Sequence, residues 1–234
     1  MTEAVLGGPA GQTPADPRDQ SYYGQPILKK PVWKPEVGWY LFAGGMAGAS
    51  ALLSAIARAM GNPPLARSAQ IGAILGAVAS PILLIEDLGR PGRFHHMLRV
   101  VKPTSPMNIG TWILTAFGTL TGGAFASELT GIARPLGRAA GWGSALLGPA
   151  LATYTSVLLT DTAIPAWHRA RRILPFVFAG GAAASAGAFA SAITDPDQSG
   201  PARRLAVAGT ALELAAAAAM ERSLGQHGQP YGQG

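Results

Sequence analysis

The chain has 234 residues, of which 13% are Asp, Glu, Lys or Arg, against roughly 25% in a typical soluble domain. It contains no cysteine, which excludes disulfides, iron–sulfur ligation, thiolate zinc sites and a cysteine nucleophile. A net charge of +6 raises the question of nucleic acid, and the placement of the charges answers it.

Residues 1–37 are polar and rich in Pro and Gly. They lack the basic stretch and short apolar core of a cleaved signal peptide. They read as a disordered start, to about Gln20, then an ordered arm with Tyr22, Tyr23, Trp33 and three lysines. Uncharged runs follow at 38–57, 68–85, 107–127, 139–160 and 173–194. A bilayer core needs about 20 helical residues, so each is long enough to span. A sixth run, 205–220, is shorter and contains Glu213. A soluble chain of this size cannot bury five such helices on all sides. The expected fold is therefore all-α: a polytopic transmembrane bundle of about six helices over 38–222, followed by a flexible tail, 223–234. The runs are rich in Ala and Gly, as close helix packing in lipid requires. Gly44/Gly48, Gly72/Gly76 and Gly118/Gly122 are each four apart, which puts each pair on one helix face.

Six spans put the N-terminus, the second and fourth loops and the C-terminus on one side. Twelve of the 18 Lys and Arg residues fall there and six on the other. The positive-inside rule makes the twelve-charge side cytoplasmic, N-terminus included. The basic balance is loop asymmetry, and no nucleic-acid partner is needed to explain it.

Ionisable residues in or at the lip of a membrane bundle are functional candidates, because burying them is costly. Glu86 and Asp87 end the second helix. They lead into a loop carrying Arg90, Arg93, His95, His96, Arg99 and Lys102. The acids and arginines can form a charge-paired cluster at the bilayer edge. The plain alternative is a helix end turning through Gly89 and Pro91 beside snorkelling arginines. Asp161 ends the fourth helix on the same side, with Tyr154 about two turns deeper. Glu36, Trp39 and Tyr40 stand at the mouth of the first helix, where Trp and Tyr also serve as interfacial anchors. Three helices thus bring acids and tyrosines to one face. That suits a quinone headgroup, whose carbonyls need donors and whose reduction needs protons. Glu213 fits a proton relay, half of a buried pair, or a lip position.

None of the four histidines (His95, His96, His168, His227) lies inside an expected span. A membrane haem needs axial ligands deep in the bundle, so no haem and no metal centre is expected. His95 and His96 read as a solvated or quinone-side pair. No Ser-His-Asp arrangement, H-E-x-x-H or phosphate-binding G-x-x-x-x-G-K is present.

Two segments carry a resemblance. One runs from Tyr22-Tyr23-Gly24-Gln25-Pro26 through Lys30-Pro31-Val32-Trp33-Lys34-Pro35 to the Gly-rich first helix. The other is Asp87-Leu88-Gly89-Arg90-Pro91-Gly92-Arg93-Phe94, continued to Ser105-Pro106-Met107. Together with Tyr154-Thr155-Ser156 and Ala163-Ile164-Pro165-Ala166-Trp167, they resemble the NrfD/polysulfide-reductase membrane subunits from about Tyr22 to Leu224. The resemblance implies a multi-pass cell-membrane anchor of a molybdopterin-type oxidoreductase complex. Its partners would be a ferredoxin-like Fe–S subunit and a molybdopterin catalytic subunit. Its diffusible substrate would be menaquinone or ubiquinone, with no haem, Fe–S cluster or metal in this chain. Quinone contacts carry over to Tyr40, Asp87 and Tyr154, with Asp87 as the proton-exchanging group. Arg90, Arg93, His95 and Lys102 carry over as loop or partner residues. The family has eight spans where this chain shows six. A purely structural anchor, or a small transporter using Glu213 and the acidic cluster, are the alternatives.

Overall fold

The computed structural model describes residues 35–88, 90–162 and 164–224. The expected arm up to residue 34 and the tail from 225, with His227, lie outside the described residues. Seven α-helices and one 3-10 helix are present, and there is no strand among the described residues. The first two helices are α1 (Pro35–Ala59) and α2 (Pro63–Asp87). A 3-10 helix (Pro91–Leu98) leads to α3 (Pro106–Thr130) and α4 (Arg134–Thr160). After these come the short α5 (Pro165–Ala170), then α6 (Leu174–Ala192) and α7 (Gly200–Leu224).

Each helix has a proline as its first or second residue. The missing N–H costs nothing there, because the first donors of a helix have no intrahelical partner. Side-chain caps reinforce two of these starts. Asn62 accepts from the Leu65 N–H at 3.2 Å, and Ser105 accepts from the Asn108 N–H at 3.4 Å. Pro81 and Pro149 lie inside α2 and α4, a placement that membrane helices tolerate. The 3-10 helix and α5 were not anticipated. Both sit in segments read as loops, and both begin at a proline.

The six long helices occupy the six expected runs, with shifted ends. A 25-residue helix is about 37 Å long, enough to cross a hydrocarbon core of about 30 Å. Four helices, α1, α2, α3 and α6, are long and apolar enough to cross a membrane. α4 and α7 are long enough but less apolar. Gly, Pro, Ser and Thr dilute α4. Arg203, Arg204, Glu213, Glu221 and Arg222 dilute α7, which extends beyond the expected 205–220 at both ends.

α1 is the hub: it packs on α2, α4 and α6, while α3 pairs with α4 and α7 with α6. The most apolar stretch of α1 is 72% buried, against 28% for those of α3 and α6. The cause is its small-residue surface. A Cβ at Gly48 would strike the backbone of Gly148 in α4, and one at Gly148 would strike Gly48 in return. Gly76 of α2 lies against Ala43 and Ala47, and Gly72 against Ser50 and the Phe189 ring. Gly180, Gly187 and Gly209 make the same backbone-close seam between α6 and α7. Ala47, Ala51 and Ala73, together with Phe117 and Leu151, fill the central cluster. The expected Gly118/Gly122 contact is absent: both glycines of α3 face open space. Spacing put them on one face, but α3 turns its other side to α4.

The outward surface suits lipid. Leu146 (78% exposed), Val207 and Leu214 point away from the core. On the outer face of α3, Thr115 and Thr119 donate to the carbonyls of Thr111 and Thr115 at 2.8 Å. A hydroxyl satisfied by its own helix can face hydrocarbon at little cost.

Gly48→Ala should destabilise the bundle by about 1–3 kcal/mol, the range for overpacking a tight contact. Gly118→Ala, with space around it, should be neutral or stabilising by less than about 1 kcal/mol. Thermal unfolding in detergent separates them, and equal effects would contradict the hub packing.

Candidate functional site

The α1 mouth presents Glu36 and Tyr40 four residues apart, on one helix face. Tyr40 is 5% exposed and belongs to the central cluster, whereas its neighbour Trp39 is 63% exposed and points outward. The two aromatics thus divide the roles that adjacency left open: Trp39 faces the surroundings and Tyr40 the interior. The Tyr40 hydroxyl and Glu36 Oε2 are both buried and lack a hydrogen-bond partner.

Leu83 and Leu84 of α2 pack against the same cluster, and so does Tyr154 of α4. Asp87 follows Leu83 and Leu84 by one helical turn, on the same face, and ends α2 half-buried. The Tyr154 ring lies directly on Gly110 of α3, where no side chain could be accommodated. Tyr40 and Tyr154 are therefore brought into one packed group, with Asp87 a turn beyond it. Gly110 was not singled out from the sequence. A lone glycine in a Gly-rich chain carries no signal until its neighbour is known. Ser80 was also missed; its buried, unpartnered hydroxyl lies near Gly44, one turn inward from Tyr40.

Arg90, Arg93, His95 and Lys102 are all exposed, on the 3-10 helix and the segments around it. They are not part of the Tyr40–Tyr154 group. The His95 ring stands edge-on to Phe94 and to His96, at centroid distances of 6.0 and 4.4 Å. Among the described residues no group of His, Asp or Glu is arranged to hold a metal ion. Asp161 caps the end of α4 and is exposed.

The loop is held by α3. Asn108 accepts from the Lys102 N–H at 2.6 Å and donates to the carbonyls of Met97 and Val100 at 3.0 and 2.9 Å. Trp112 Nε1 donates to the Val100 carbonyl at 3.3 Å. One amide side chain therefore fixes the spacing between the 3-10 helix and α3.

Glu213 lies half-buried in the α6–α7 seam, beside Gly180 and Gly181. No cation pairs with it among the described residues. A second polar region opens at the opposite end of the bundle. A cavity of about 600 Å³ lies between α1, α2, α3 and α4 there. Arg58 and Arg67 approach Glu128 within it, at 3.0 and 3.4 Å. None of Asp87, Tyr40 and Tyr154 lines it.

A family model described as polysulfide reductase, of the NrfD_2 type, matches residues 20–223. No curated protein matches the chain.

Asn108→Ala removes three hydrogen bonds to the loop, each contributing about 0.5–1.5 kcal/mol. Trypsin cleavage after Arg99 should become faster while the helices stay folded. An unchanged cleavage rate would mean that the loop is held by other contacts.

Proposed function

Because the chain belongs to the NrfD polysulfide reductase family, and so is a membrane subunit of an oxidoreductase, we propose that it exchanges electrons with membrane quinone at the α1–α2–α4 mouth. The observation that carries this reading is Tyr40. Its side chain is buried, and its hydroxyl has no partner. A buried donor left unmade costs about 1–3 kcal/mol, and a quinone carbonyl would recover that. Tyr154 supplies a second hydroxyl in the same packed group.

Reducing a quinone to the quinol takes two electrons and two protons. With no cysteine in the chain, the electrons come from a cluster in a partner Fe–S subunit, itself supplied by a molybdopterin subunit. The protons pass through a carboxylate that can reach water. Asp87, half-buried at a helix end, suits that exchange. The exposed Arg90, Arg93, His95 and Lys102 form the face on which the Fe–S subunit docks, a role that suits charged side chains at a polar rim. The twelve-charge side, which holds this mouth, is cytoplasmic by the positive-inside rule. Menaquinone and ubiquinone present the same two carbonyls, and the site does not distinguish between them.

In the assembled complex, Asp87→Asn should lower quinone-coupled turnover by about 10²-fold or more, the range for losing a positioned proton-transfer group, and Tyr154→Phe should lower it by the roughly 2- to 10-fold of one lost hydrogen bond. Tyr40→Phe should raise the quinone KM roughly 2- to 10-fold, the effect of one hydrogen bond. Electron transfer from the donor to a soluble dye, which bypasses the mouth, should be unchanged in all three. Normal quinone turnover in all three variants would reduce the subunit to a structural anchor.

A further inference from the structure

The arginines on the less basic side of the bundle are not scattered. Of the six there, Arg58, Arg67, Arg134 and Arg138 line one cavity between α1, α2, α3 and α4. Glu128 neutralises part of this charge through Arg58 and Arg67. Among the described residues no carboxylate pairs with Arg134 or Arg138, and the lining carries an excess of positive charge.

Gln70 also lines the cavity, at 4% exposure. Its Oε1 lies 3.2 Å from Ser54 Oγ, which also donates to the Ala66 carbonyl at 2.8 Å. Its Nε2 is buried and has no partner. A buried amide donor is rarely left unmade, and Glu128, the one carboxylate of the lining, is engaged by Arg58 and Arg67. An oxygen acceptor with negative charge would complement both this donor and the arginines. Guanidinium groups bind phosphate oxygens in a forked, charge-assisted geometry.

The volume and the rim narrow the source. About 600 Å³ lies within the range of roughly 300–1,000 Å³ that holds whole small-molecule ligands, well beyond one inorganic phosphate. Trp142 lines the cavity and is 51% exposed. At the end of α3, in the turn after it and along α4, Leu129, Ile132, Leu136 and Leu146 are each at least 70% exposed. An amphiphile with an anionic head and apolar chains satisfies both parts. Basic pockets between membrane helices bind lipid headgroups on the cytoplasmic or matrix side of other proteins, and the same charge chemistry stands here on the opposite side.

We propose that this cavity binds the phosphodiester headgroup of an anionic phospholipid, with its acyl chains laid along α3 and α4. Arg134 and Arg138 hold the phosphate, and Gln70 Nε2 donates to a headgroup oxygen. The lipid joins the α1–α2 and α3–α4 pairs at the end of the bundle opposite Tyr40 and Asp87.

The test uses the full chain, delipidated in detergent and titrated with phosphatidylglycerol or phosphatidylcholine. Native mass spectrometry reads the bound lipid. Phosphatidylglycerol should be retained at about tenfold lower concentration than phosphatidylcholine, a difference of about 1.4 kcal/mol. Arg134→Gln combined with Arg138→Gln should abolish that preference; both side chains are exposed, so the fold should survive. Arg203→Gln with Arg204→Gln removes the same charge from the same side outside the cavity, and should leave the preference intact. A preference that persists in the first pair, or is lost equally in the second, overturns the proposal. Displacement of phosphatidylglycerol by excess inorganic phosphate overturns the lipid assignment and gives the cavity to a soluble anion.

Discussion

The whole bundle depends on one helix whose side chains are small enough to let three others touch its backbone. Helices in lipid have no hydrophobic drive toward each other, so contact energy must come from close approach. α1 provides this with Gly44, Gly48, Ala47 and Ala51 along the surfaces that meet α2 and α4. The Gly48–Gly148 crossing is the tightest expression of it, backbone against backbone. Dispersion contacts are individually small, and they sum only when no side chain holds the helices apart.

That crossing also determines what the two ends of the bundle look like. Near the middle the helices touch through their backbones, and towards the ends larger side chains take over. At one end these are Tyr40 and Tyr154, with Leu83, Leu84 and Asp87 close in sequence to the helix exit. At the other they are Gln70, Arg58, Glu128 and the arginines of α4, around a cavity. The first end suits a neutral, carbonyl-bearing ring with a proton source beside it. The second suits a fixed negative charge. The proposed quinone mouth and the proposed lipid-binding mouth thus both follow from the same helix packing, and they lie at opposite ends of α1.

Charge-free length made the helices legible, and the prolines near their starts mark where the first N–H groups need no intrahelical partner. The alignment of Tyr40, Asp87 and Tyr154 with one face could be read, because helix ends and chain direction determine which residues share a side. Burial could not be read. Nothing in Trp39-Tyr40 says which ring turns inward, since that depends on where α2 and α4 lie. Glycine pairs at a spacing of four looked alike, yet Gly44/Gly48 and Gly72/Gly76 meet neighbours while Gly118/Gly122 meet none. The arginine cavity was invisible because its residues come from four helices. Counted as loop charges, they served only to orient the bundle. Glu128 and Gln70 gained meaning only when α1, α2 and α3 placed them beside Arg58 and Ser54.

The most direct test of the central claim is photolabelling of the membrane-bound complex with an azidoquinone, followed by peptide mapping. The α1–α2–α4 mouth predicts saturable labelling near Tyr40, at the end of α2 and near Tyr154, displaced by excess unlabelled quinone. Saturable labelling confined to other helices, or none in this chain while the intact complex turns over quinone, would contradict it.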